Sequence, residues 1–489
     1  MYGYIRRLLR TGAAYQAGDV LSKLLALGTL PLYTRHLTRS DYGVAELLLT
    51  LVILVSIVVR LGIGEAYVRF HFLDDDPARR RRVARVSTGF LFVATTLAAL
   101  LAGALAGPLS RLVLGYEDAG IMRIAVYGLW AFTNLELAYA LLRVEERARP
   151  YLIASLTNVV LTVSLTIWLV VVRDDGAPGL LLGNFAASGV VLLGLWWSLR
   201  DRLGVVPERR ALRELPDMLR FGLPTVPAEV SVFLLNVVDR LYLFRTESEG
   251  AAGLYSLAVK LAAVVVFTVR AFQYAWPPLA YSITDDDEAR RVYAFITTYY
   301  VLGTGLVVAG ITLLGRWVVR LLAAPAFYPA HEALPWVALG WALYGLFLVF
   351  VVMAGRARVT SRNFPAALAG LVVNVVLLVV LVPPLGISGA GIALVGAYAV
   401  MLVLMYLLTR SLFAVSFQWA RLLQLVLVIG GVTVAAELLL PTSGAEGLVS
   451  RAVALAAIPL LLVAVRFFRP EEVSRLRGLA ARLRPARAT

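Results

Sequence analysis

Runs of about twenty apolar residues, each closed by a short charged or Gly/Pro-containing stretch, recur along the whole of this 489-residue chain. A helix of that length crosses the hydrocarbon core of a bilayer. Fourteen windows meet the criterion: 11–33, 42–66, 86–110, 121–142, 151–172, 178–199, 221–244, 251–281, 292–315, 333–355, 363–382, 386–409, 422–440 and 450–468. The pattern predicts an all-α polytopic membrane protein with about 14 transmembrane helices.

The pattern also repeats. A slide of 210 positions aligns Gly12 with Gly222, Arg35 with Arg245, Gly43 with Gly253 and Arg60 with Arg270, and sets Asp19 on Glu229. One further residue of adjustment superposes "DDDPARR" from Asp74 on "DDDEARR" from Asp285, and "TNVVL" from Thr157 later meets "VNVVL" from Val373. The charged, Gly and Asn matches carry the repeat, because apolar helices match one another by chance. Six windows separate the copies, an even number, so both copies have the same orientation. The expected architecture is two parallel six-helix lobes related by a pseudo-two-fold axis along the membrane normal, an arrangement found in secondary transporters. The N-lobe is placed at 1–199, a basic linker at 200–220, the C-lobe at 221–410, two additional helices at 411–468 and a basic tail at 469–489.

Composition agrees with the windows: 60% of residues are hydrophobic and only 16% charged, too apolar for a soluble globular chain. The net charge of +15 would suit nucleic acid if it lay on one soluble face, but its distribution assigns it to topology. With a cytoplasmic N-terminus, the loops after even-numbered windows and the two tails hold most of the 46 basic residues. The positive-inside rule then puts both termini in the cytoplasm, with membrane lipids as surroundings and no nucleic-acid partner. "MYGYIRRLLR" resembles the basic region of a signal peptide, yet the apolar run after it is long enough to be an uncleaved first helix. The absence of cysteine excludes disulfides and thiolate chemistry. His36, His71 and His331 do not cluster at metal-ligand spacing, and there is no P-loop, so neither a metal centre nor ATP-driven transport by this chain alone is expected.

Three stretches then point to a family: "LPLYTRHLTRSDYGVAELL" from Leu30, "RFGLPTVPAEVSVFLLNVVDRLYL" from Arg220, and "AGLYSLAVKLA" from Ala252. They resemble the polysaccharide transporter family, the Wzx-type oligosaccharide flippases of the MATE-like MOP superfamily. The resemblance implies alternating-access translocation of a polyprenyl-diphosphate-linked glycan to the outer leaflet, for cell-surface polysaccharide biosynthesis. Glycosyltransferases and a polymerase of the same pathway are the partners it implies. It implies no enzymatic activity, no cofactor, and a proton or sodium ion as the coupling species. Lipid II-type flippases and cation-coupled drug antiporters are the alternatives within the superfamily. A polytopic glycosyltransferase or ligase fits less well, because the loops assigned to the outer face are only about twenty residues or shorter.

Charged residues inside apolar windows are the site candidates, since each costs about 2.5–3.5 kcal/mol at a bilayer centre unless it faces a cavity or a partner. Lys23, Arg240 and Lys260 are expected to meet the diphosphate, with Asn236 on the same cavity wall as Arg240. The matched Arg60 and Arg270 would either form cationic posts at the cavity mouth or snorkel to headgroups, and snorkelling is the plainer reading. Asp19, Glu229 and Asp239 are the candidates for ion coupling. Plainer readings stand beside each: Asp19 and Lys23 can pair at i, i+4, and Lys260 can pair with Asp239 or Glu229. Asn158 and Asn374 read as interhelical hydrogen-bonding groups, and Arg35 and Arg245 as interface anchors. Glu65 and Glu136 are weaker candidates. The two aspartate runs read as solvated helix starts followed by topogenic arginines rather than as a metal site.

Overall fold

The computed structural model describes residues 25 and 27–469, apart from 74, 75, 146, 201–210, 284 and 357–361. Among the described residues every regular element is helical. Residues 27–36 form α1. They are followed by α2 (Arg39–Val59), α3 (Ile63–His71), α4 (Pro77–Ala104), α5 (Ala106–Leu114), α6 (Ala119–Val144), α7 (Ala148–Val172) and α8 (Gly176–Ser198). After these come α9 (Leu215–Gly222), α10 (Val226–Thr246), α11 (Glu249–Leu261), α12 (Ala263–Ser282), α13 (Asp286–Leu322) and α14 (Leu334–Arg356). The chain ends in α15 (Asn363–Thr409), α16 (Trp419–Leu439) and α17 (Gly444–Ala464).

Among the described residues ten of these helices, and an eleventh stretch over Leu215–Leu235 from α9 into α10, are long and apolar enough to cross a membrane, or twelve spans if α11 and α12 are one broken span. The described helices do not by themselves reach the expected fourteen. The first window lies largely outside the described residues, and the eleventh and twelfth run together in α15 through Gly386, whose φ of 54° interrupts the helix. The second window is corrected too: the chain breaks at Leu61 and Gly62, both at positive φ, and restarts as α3.

Local sequence explains where the helices begin. Thr38 accepts from the Asp41 N–H at 3.0 Å while Asp41 accepts from the Thr38 N–H at 3.2 Å, a reciprocal cap that starts α2. Asp76, the last residue of the first aspartate run, caps α4 by accepting from the N–H groups of Ala78 and Arg79. Those backbone donors, Ala78 first, hold its carboxyl below the usual range, so the cap is kept at neutral pH and lost only as pH falls through that lowered value. In the second run Asp285 accepts from the Glu288 N–H at 2.6 Å, and Asp286 pairs with Arg356 at 2.7 Å. Each run is a helix start.

The chain divides into two compact units. The first comprises 1–260, 320–330 and 371–393. One hydrophobic core in it gathers Tyr67, Val86, Leu91, Leu141, Leu142 and Leu192 from α3, α4, α6 and α8. The second comprises 261–319, 331–370 and 394–489, and there Ala309, Leu425, Ile429, Ile458 and Leu462 join α13, α16 and α17. At the end of α16, Glu437 accepts from both Arg316 and the fully buried Arg451, whose Nε also donates to the Pro441 carbonyl at 2.9 Å. Removing one member of such a buried cluster costs about 3 kcal/mol. Arg451→Ala is therefore expected to lower the thermal midpoint of the detergent-solubilised chain by several degrees, whereas the exposed Arg123→Ala should leave it in place.

Candidate functional site

The first unit holds a ladder of polar contacts along one helix. On α2, Gly43, Glu46 and Thr50 are spaced by three and four and share a face, and Arg60 follows as the C-cap. On α10, Glu229 and Arg240 lie eleven residues apart, about three turns, and so share a face as well. These faces meet with the helices antiparallel: Arg240 Nη1 donates to Thr50 Oγ1 at 3.2 Å, and Arg60 Nη2 donates to Glu229 Oε1 at 3.2 Å. The two contacts are separated by about 15 Å along the axis, at 1.5 Å per residue. Between α2 and α11, Lys260 Nζ donates to the buried Glu46 carboxylate at 2.5 Å and lies 5.1 Å from the Tyr42 ring centre. Thr50 closes the group by donating to the Glu46 carbonyl at 2.6 Å.

Glycines fix both ends of the ladder. A Cβ on Gly43 would lie 2.0 Å from the Glu249 carbonyl oxygen, and one on Gly253 would lie 2.3 Å from the Arg39 carbonyl oxygen. At the other end a Cβ on Gly62 would come within 2.1 Å of the Gly222 carbonyl oxygen. Any side chain at these crossings would push the backbones apart.

Asp239 faces a different way from its neighbour Arg240. Its carboxylate is buried, accepting from Tyr255 Oη and from Asn374 Nδ2, each at 2.8 Å. Both donors are neutral. Asn374 thus makes the interhelical hydrogen bond expected of it.

The expected site residues can now be placed. Arg240, Lys260, Arg60 and Glu229 come together on the ladder, and Asp239 lies behind it. Arg60 follows the end of α2 and pairs with Glu229, where it is only part-exposed. Lys260 pairs with neither Asp239 nor Glu229, because α11 faces α2 at this level and presents Lys260 to Glu46. Arg270 belongs to the second unit, exposed on α12 within electrostatic reach of Tyr344. Arg245, expected as an interface anchor, donates to the Leu112 carbonyl, and Arg35 is exposed. Lys23 and Asp19 lie outside the described residues, as does the side chain of Asn236. Glu46 was missed, although a carboxylate in an otherwise apolar window was signal enough to find it.

Comparison with known proteins bears on this arrangement. Residues 8–283, more than half of the chain, match the family described as polysaccharide biosynthesis protein. The chain belongs to that family. All the ladder residues fall inside the matched region. An Lsg locus protein of Haemophilus influenzae is 24% identical over 281 residues, covering 56% of this chain, and the match spans 66% of that relative's length. A structure of the lipid II flippase MurJ in an inward closed conformation superposes with a TM-score of 0.74 at 14% identity, covering 93% of this chain and 98% of that one. An inward-facing multidrug resistance MATE family transporter of the MOP superfamily gives 0.65 at 16% identity, covering 83% and 95%. At these identities the likeness is one of fold.

The ladder makes a stability prediction for this family member. Lys260→Met leaves Glu46 buried without its cation and should cost about 3 kcal/mol. Adding Glu46→Leu removes the stranded charge, so the double variant should regain most of the loss. Denaturation midpoints of the two single variants and the double measure the coupling, and additive losses would show that the pair is not energetically linked.

Proposed function

We propose that this protein is a flippase that moves a polyprenyl-diphosphate-linked oligosaccharide from the cytoplasmic to the outer leaflet of a bacterial inner membrane, for cell-surface polysaccharide biosynthesis. The observation that carries the reading is the presentation of Arg240 and Lys260, two cations inside apolar helices, to the same face of α2. One meets a hydroxyl there and the other a carboxylate, and a diphosphate is the ligand that two adjacent cations bind with charge-assisted hydrogen bonds. In the proposed cycle the phosphates replace Glu46 at Lys260 and Thr50 at Arg240. That exchange releases α2 from α10 and α11 and lets the path open on one side at a time, with Lys23 and Asn236 as further contacts and Arg60 as a cationic post.

Asp19, Glu229 and Asp239 remain the proposed coupling groups for a proton or sodium ion. Asp239 suits the role best, because neutral donors hold its carboxylate in place without neutralising it. Both termini are placed in the cytoplasm, where the glycosyltransferases that build the glycan and the substrate's starting leaflet are found; a polymerase would act on the product outside. A cation-coupled drug antiporter is the rival reading, and its cavity would favour cations.

The experiment is transport in proteoliposomes with a fluorescent undecaprenyl-diphosphate glycan, with and without ion gradients. The charge-free double variant Glu46→Leu with Lys260→Met, stable by the argument above, should flip at least about tenfold more slowly, the loss of one charge-assisted contact to phosphate. Arg240→Gln should do the same. Wild-type rates in both would remove the diphosphate reading, and saturable uptake of an organic cation in place of the glycolipid would favour the antiporter.

A further inference from the structure

Where the sugars of such a substrate would sit is a separate question, and one cavity answers it. It has a volume of about 340 Å³ and lies in the first unit beside the break between α2 and α3. Arg60, Glu65, Glu136 and Arg143 line it, with Val68 and Leu137 among its apolar contacts. Its size is at the small end of the range for ligand pockets.

The lining discriminates between ligand chemistries by sign. Two guanidinium groups oppose a free cation, and two carboxylates oppose a phosphate or other dianion, so neither ionic ligand gains from the full set. A neutral polyhydroxylated ring uses all of it. Hydroxyls donate to carboxylates and accept from guanidinium N–H groups, while the C–H face of the ring lies on apolar side chains. Two further observations point the same way. The Nε of Arg60 is buried without a hydrogen-bond partner, although Nη2 of the same group is engaged by Glu229. A Cβ on Gly64, which also lines the cavity, would meet nothing within 4 Å, so this wall is open to an occupant.

We infer that this cavity is a glycan subsite that takes one or two neutral sugar rings distal to the diphosphate, with Glu65, Glu136 and Arg143 as its specificity-determining contacts. The assignment rests on the flippase reading above. Arg60 then belongs to two systems: its Nη2 holds Glu229 across the α2–α10 contact, and the same side chain lines the cavity. Occupancy of the cavity therefore bears on the same group that ties α2 to α10.

Gly64→Leu tests the assignment without an expected folding defect, because the space is empty and leucine is the better helix former. Glu136→Gln tests the charge. Wild type and both variants are reconstituted as full chains and given two probes: an undecaprenyl diphosphate bearing one N-acetylglucosamine, and the same lipid extended by four neutral hexoses. Gly64→Leu, which fills the space, should slow the extended probe by at least about tenfold, the low end of what a change in pocket fit is worth, and leave the single-sugar probe within about twofold of wild type. Glu136→Gln should slow only the extended probe, by a smaller factor. Equal losses on both probes, or no loss on either, overturn the subsite while leaving the flippase reading intact. A wild-type chain that moves neither probe overturns both.

Discussion

Lys260 carries a charge into an apolar helix, and Glu46, 214 residues earlier in the chain, is the group that answers it. In a bilayer that demand is severe, because water is not there to solvate either partner. The consequence is a fixed register between α2 and the pair α10–α11: once Glu46 meets Lys260, Thr50 falls beside Arg240 and, about three turns further along, Arg60 falls beside Glu229. The glycine crossings at Gly43–Gly253 and Gly62–Gly222 are what allow the backbones close enough for these short side chains to reach. Polar reach and close backbone approach depend on each other, and neither would hold with larger residues at the crossings.

The polar contacts described at this joint are exchangeable. A carboxylate, a hydroxyl and a second carboxylate each take one cation, and any anion that offers better geometry competes for the same donors. Compare the end of α16, where Arg451 is fully buried, also bonded to a backbone carbonyl, and shares Glu437 with Arg316. That cluster has no ligand to exchange with and reads as a permanent fastening of α17. The ladder on α2 has the composition of a joint that opens.

Much of this was legible in the sequence. The apolar windows predicted the helices, and both "DDD" runs marked helix starts. The 210-residue offset aligned Gly43 with Gly253, and in the fold these two glycines meet at a helix crossing; repeat-related residues can touch only near the axis that relates them. Arg240 and Lys260 were evident as charges within apolar segments. Their partners were not. No local period encodes that Lys260 meets Glu46 rather than Asp239, or that Asp239 meets Asn374, 135 residues away, because those choices are made by which helix faces pack. The break at Leu61 and Gly62 was hidden by the hydropathy that continues through it. Arg60, the residue just before this break, pairs with Glu229.

The central claim is that α2 separates from α10 and α11 during the proposed transport cycle, and one disulfide tests it. A Cβ on Gly250 would lie 3.3 Å from the Arg39 Cβ, close to the roughly 3.5–4.5 Å of a disulfide. The chain has no cysteine of its own, so Arg39→Cys with Gly250→Cys would supply the only thiols. The measurement is glycolipid flipping by this double variant in proteoliposomes, oxidised and then reduced. The account predicts that oxidation stops transport and that reductant restores it. Transport at the reduced rate with the disulfide fully formed would contradict it.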